Sequence, residues 1–230
     1  MKTNDQPMPN QRRDFLKQIA TGAAVLGAGS LLSVPLQSSA AGHPSSDVSD
    51  ADAWFDKVKG KHKIVFDVTE PKSIFPFAWP KIFLATNGAT GTAEKDCSVV
   101  VVLRHAGIPF AMNNDLWAKY KFGEMFKVYE ADGKTPATSN PFWQSKPTTI
   151  PGVGEVKIGI NDLQESGVMF CVCDMALTVN SAVAAMGSKQ DPAMVHKEWL
   201  AGLLPNIQPV PSGVWAVGRA QEHGCAYCFV

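Results

Sequence analysis

Cys97-Ser98-Val99-Val100-Val101-Val102-Leu103-Arg104-His105 is the stretch that decides the fold. Its centre holds five consecutive apolar residues, four of them valine. β-Branched side chains favour extended backbone, and an unbroken apolar run leaves neither face for water. It reads as a strand of a parallel sheet covered on both sides. Residues 63–69, 168–173, 207–210 and 225–230 read as further strands. Helical patterns lie between them at 79–87, 113–122, 156–164, 175–186 with a continuation toward Leu204, and 213–223. Strand alternating with helix predicts a three-layer α/β domain over residues 61–230.

Composition narrows the function classes. Lys and Arg number 21 against 21 Asp and Glu, so the basic excess of an electrostatic nucleic-acid binder is missing. Hydrophobic residues at 45% exclude a chain too polar to fold. Five cysteines are too few for a disulfide-built mini-domain, and an odd number leaves one unpaired.

Ahead of the domain, Gln11-Arg12-Arg13-Asp14-Phe15-Leu16-Lys17 precedes an uncharged segment at 18–36 that is rich in Ala and Gly. Ser38-Ser39-Ala40-Ala41 follows. Arg12 and Arg13 with this context form a twin-arginine export signal over residues 1–40, addressed to the Tat translocase and the periplasm. Removing it leaves a net charge of −2 and no stretch fit for stable membrane insertion. Such substrates cross folded, so any disulfide forms after folding. Residues 41–60, rich in Ser and Asp, read as a linker and lead-in. Residues 131–154 hold Pro136, Pro141, Pro147 and Pro151 around Phe142-Trp143. They are expected to form a surface insertion that the Phe-Trp pair pins to the body. Ile74 to Pro80, a second aromatic and proline-spaced segment, is expected to be buried against the body or a sister subunit.

Chemistry belongs at the carboxyl ends of the strands, where open parallel sheets place their crevices. Three ends carry reactive types: Thr69-Glu70-Pro71, Arg104-His105-Ala106-Gly107 and Cys171-Val172-Cys173-Asp174. Cys171 and Cys173 share a face by alternation, with Cys171 the deeper, buried as a small hydrophobe. Cys173 falls at the mouth, against the first turn of a helix, where amide groups and the helix dipole lower a thiol pKa. Asp174 is placed to cap that helix, and its charge opposes thiolate formation.

The run Gly167-Val168-Met169-Phe170-Cys171-Val172-Cys173 before a helix resembles the DsrE/DsrF-like family of sulfur-relay proteins. Lys63-Ile64-Val65-Phe66, the valine run ending in Arg-His-Ala-Gly, and Leu203-Leu204-Pro205-Asn206 leading to Val210-Pro211-Ser212-Gly213-Val214 agree with it. So does Gln221-Glu222-His223-Gly224-Cys225-Ala226-Tyr227. The resemblance covers about residues 60–230. It implies a flavodoxin-like three-layer sandwich with a mostly parallel sheet of about five strands. It also implies homo- or hetero-oligomers, commonly trimers or their multiples. By position, Cys173 matches the cysteine that carries sulfur as a persulfide, and His105 matches a histidine often found at the second strand's end. Sulfur donors and acceptors, as proteins or small sulfane-sulfur compounds, are the implied partners. The 131–154 insertion and the tail cysteines depart from the family pattern, and the studied relay members are cytosolic.

The tail pair, Cys225 and Cys228, offers alternative thiols. In a strand they would lie roughly 10 Å apart and face opposite ways, too far for a disulfide. Cys225 near Cys173, from a neighbouring strand, stays open at this point. A structural zinc would also need Cys173 and His223, which nothing in the sequence brings together. No cofactor or metal is called for. Three readings follow: a periplasmic sulfur carrier or sulfurtransferase on Cys173 with His105 as proton source or positive neighbour, a non-catalytic binding or assembly module, and a thiol–disulfide protein using the tail.

Overall fold

Five parallel strands form the centre of the computed structural model, which describes residues 45–71 and 73–230. In chain order the strands are β1 (His62–Val68), β2 (Cys97–Leu103), β3 (Thr148–Ile150), β4 (Gly154–Val156), β5 (Met169–Cys173), β6 (Ile207–Val210) and β7 (Ala226–Phe229). The main sheet runs β6-β5-β2-β1-β7 with every neighbouring pair parallel. β3 and β4 make a separate antiparallel hairpin that begins inside the insertion and ends just beyond it, at Val156.

Among the described residues eight α-helices accompany them: α1 (Ser45–Trp54), α2 (Phe75–Ala89), α3 (Asn114–Tyr120), α4 (Phe122–Phe126), α5 (Ile160–Glu165), α6 (Asp174–Ser188), α7 (Pro192–Ala201) and α8 (Gly213–Glu222). A 3-10 segment, His105–Ala111, leaves β2. The arrangement is the expected flavodoxin-like three-layer α/β sandwich.

Side-chain alternation builds the two covered faces. Phe66, Val99, Val101, Leu103, Phe170 and Val172 point to one side, where Phe77 and Leu84 of α2 and Leu177 and Ala185 of α6 meet them. Val65, Val100, Val102, Cys171 and Val210 point to the other, beneath Ala216 and Ala220 of α8. Burying each such aliphatic side chain contributes about 1.5–3 kcal/mol, which makes the valine run the anchor of both layers. The chain steps β1, β2, β5, β6 in one direction with its helices on the first face. It then returns across three strands to β7, and right-handed crossover puts α8 on the second face.

Three local readings change. Within the expected linker at 41–60, residues 45–57 are structured: α1 and the 3-10 turn after it bury Ala51, Trp54 and Phe55 under the α8 face. Those residues recur at helical spacing, and their apolar burial outweighs the polar composition around them. α2 begins at Phe75 rather than 79, through Pro76 in its first turn and Pro80 inside it. Phe77, fully buried against Phe110, Phe142 and Phe170, holds that segment to the body. The 175–204 helical pattern is two helices, broken where Lys189 adopts φ 55°.

The insertion is anchored as expected. Phe142 is buried on Phe77 at 4.2 Å and Phe110 at 5.4 Å between ring centroids. Asn140 Nδ2 donates to the carbonyls of Phe110 and Met112, both at 2.9 Å. At the margins of the sheet, β6 includes Pro209, which has no amide hydrogen to give, and α1 packs beside it. β7 has no proline and exposes Tyr227 and Phe229. Among the described residues, no helix is long and apolar enough to cross a membrane.

Candidate functional site

β5 and β6 are neighbours, yet the helices that follow them leave to opposite faces. Such a reversal opens a crevice at the carboxyl ends of the two strands. Cys173 closes β5 on one side of it, in register with Val210 of β6, and Ser212-Gly213 opens α8 on the other.

Cys173 is itself the N-cap of α6. Its backbone is extended (φ −72°, ψ 107°), and its Sγ accepts a hydrogen bond from the Ala176 amide at 3.3 Å. The sulfur therefore takes up one of the four unpaired amides of a 15-residue helix, at the positive end of its dipole. The thiol is buried, with 7% of the residue exposed. Asp174, expected to cap, does not do so. It turns to α7, where His196 Nε2 lies 2.7 Å from its Oδ1 and Thr178 Oγ1 stands 3.4 Å from the same ring nitrogen. The cysteine occupies the capping position one residue earlier, and the carboxylate bridges two helices.

Beside Cys173 stands a cation that sequence reading did not assign to the site. Arg104 continues β2 beyond Leu103, on the same face as Val100 and Val102. Its Nε donates to Asp67 Oδ1 at 2.6 Å and its Nη2 to Oδ2 at 2.8 Å. Tyr227 Oη donates to Asp67 Oδ2 at 2.8 Å. Hydrogen bonding to Asp67 raises the guanidinium above its ordinary range; burial opposes this, while attraction to Asp67, Tyr227 and Cys173 adds to it. Leu103 pairs with Val172, so the next residues, Arg104 and Cys173, leave neighbouring strands at the same level. Gly213 completes the contact: a Cβ there would stand 2.5 Å from the Arg104 Cβ and 2.7 Å from its Cδ. Only a residue without a side chain lets α8 begin this close to Arg104.

The other expected site residues are scattered. His105 is exposed at φ 52°, and among the described residues its ring makes no hydrogen bond or ion pair. Cys171 is fully buried on the α8 face, and burial pushes its pKa far above the ordinary thiol range. Cys225 is buried just ahead of β7, and burial pushes its pKa up to about 11. Cys228, half-buried, packs on the opposite face. Three strand spacings, roughly 14 Å, separate the Cys225 and Cys173 strands, and the two residues sit at opposite ends of the sheet. That closes the pairing the sequence left open. All five thiols are free. Among the described residues no three His, Cys, Asp or Glu side chains are grouped to hold a metal ion. Arg12 and Arg13 lie outside the described residues.

No family model matches the chain, and no curated protein matches it. Among solved structures, a protein of unknown function from Methanobacterium thermoautotrophicum, MTH1491, is similar at 15% identity with a TM-score of 0.39. The match covers 74% of this chain and all of that one.

Proposed function

We propose that this protein is a carrier of sulfane sulfur, exported through its twin-arginine segment and loaded on Cys173. One observation carries the reading: the thiol caps α6 at the strand-order reversal, with the Asp67-held Arg104 beside it. An amide donor, the amino end of a helix and a guanidinium converge on the sulfur that is to take up and release the sulfane atom. Loading is a transfer between sulfurs. The Cys173 thiolate attacks the terminal sulfur of a donor R–S–SH, the donor's S–S bond breaks, and R–S⁻ leaves. Cys173 is left as the persulfide Cys–S–SH, with no external oxidant or reductant. Discharge is the same step in reverse, onto an acceptor thiolate. Arg104, rather than His105, supplies the positive neighbour in this scheme.

Self-association belongs to the same reading. Met175, Val179, Val183 and Met186 stand exposed along α6, the helix that Cys173 opens. Packing there would shield the thiol from water between donor and acceptor.

Intact mass after exposure to inorganic polysulfide tests the carrier role. Wild type gains about 32 Da, one sulfur. The gain disappears in Cys173→Ser, whose hydroxyl keeps the helix cap, and survives Cys225→Ser with Cys228→Ser. Loading that persists without Cys173 moves the site to the tail. No loading in any variant leaves the binding-module reading. Replacing Arg12 and Arg13 with Lys tests export: the precursor is expected to stay in the cytosol.

A further inference from the structure

At the amino end of the sheet, the edge opposite Cys173, lies a cavity of about 550 Å³. It is walled by the entrances to β1, β2 and β5. Four lysines line it: Lys57, Lys59, Lys61 and Lys95. Each is exposed, and among the described residues none of the four makes an ion pair. Two carboxylates share the wall, Glu94 and Asp96. Glu94 is already engaged by Lys81 from outside it, at 3.2 Å.

The lysines are held in place by the backbone beneath them. A Cβ on Gly60 would collide with the Ser98 amide, so the 59–61 loop lies flush on the start of β2. Gly60 N donates to Ser98 Oγ at 2.7 Å, and Lys61 N donates to the Asp96 carbonyl at 2.6 Å. The loop cannot swing away to separate its charges. Like charges confined to one concavity repel, and they raise the local concentration of any anion small enough to enter.

We propose that this cavity binds a small, non-aromatic polyanion bearing at least two phosphate- or sulfate-type groups. The uncompensated charge exceeds what one monoanion neutralises, and the volume lies within the range of small-molecule sites. No aromatic side chain lines the wall, so nothing there stacks a nucleobase. The Ser98 hydroxyl, whose oxygen accepts from Gly60 N, keeps its own hydrogen to donate to a phosphate-type oxygen. The site is independent of the thiol chemistry at the other edge.

Cys97 lines the cavity and reports its occupancy. The test follows N-ethylmaleimide labelling of Cys97 in the full-length protein, by peptide mass, as sodium tripolyphosphate is added. At ten times its Kd the probe is expected to slow Cys97 labelling about tenfold, without changing the rate at Cys228. Potassium chloride at equal ionic strength is expected not to protect, nor tripolyphosphate in Lys59→Glu with Lys95→Glu. Unprotected Cys97 in wild type, equal protection by the chloride salt, or protection that persists in the double variant each overturns the proposal.

Discussion

Arg104 grips Asp67 with two parallel bonds, Nε to Oδ1 and Nη2 to Oδ2, across the β1–β2 pair at its carboxyl end. Asp67 is 2% exposed at its side chain, and Arg104 with Tyr227 Oη supplies its side-chain hydrogen bonds. Removing one partner of a buried pair strands the other. Arg104→Ala is expected to cost about 3 kcal/mol in urea unfolding, and Asp67→Asn in that background to restore most of it. Restoration by the second change is the discriminating result; additive losses would mean that the two side chains act separately.

Gly213 and Arg104 are coupled by contact rather than charge. Ala at an exposed first-turn position of a helix normally stabilises relative to Gly. Here Gly213→Ala is expected to cost about 1–3 kcal/mol, the range for overpacking a filled site. The same change in Arg104→Gly, which removes the Cβ as well as the rest of the side chain, should be close to neutral. A double-mutant cycle on unfolding free energies checks this, with a coupling energy near zero as the contrary result.

The buried thiols set an alkaline limit. Burial lifts Cys225 from 9.0 to about 11 and Cys171 further in the same direction. Between those values the unfolded chain has released protons that the native state still holds, so stability falls as pH rises through about 9 to 11. Each such thiol contributes a slope of about 1.4 kcal/mol per pH unit. Urea midpoints at pH 8, 9 and 10 should drop for wild type and drop less steeply for Cys225→Ala.

Phe142 fastens the insertion to the aromatic cluster around Phe77. Phe142→Ala is expected to cost about 3 kcal/mol and to expose 131–154 to limited proteolysis ahead of the rest of the domain. Unchanged cleavage kinetics would show that Asn140 alone is enough to hold the segment.

What the sequence discloses here depends on distance along the chain. The valine run, the other four strands and most helices are legible because each carries its own apolar period. α1 hides because Ser and Asp dilute the Ala51, Trp54, Phe55 spacing that buries it. The break between α6 and α7 is written in Asp191-Pro192, a cap followed by a first-turn proline, inside an apparently continuous pattern. Cys173 is legible as a strand end before a helix. The Arg104–Asp67 pair beside it is not, because those two residues sit 37 apart in the chain and meet only through strand register. The one local hint is Asp67 itself, a charge set among Ile64, Val65, Phe66 and Val68, whose burial demands a counter-ion.

The two margins of the sheet also set how far strand-to-strand growth can proceed. The β6 margin, with Pro209 and α1 against it, is a poor template for another strand, whereas β7 presents an ordinary edge. If two molecules meet edge to edge through β7, both templates are consumed and only proline-bearing margins face outward. A chain that can extend on one side alone ends at a pair and has no route to a fibre by that mechanism.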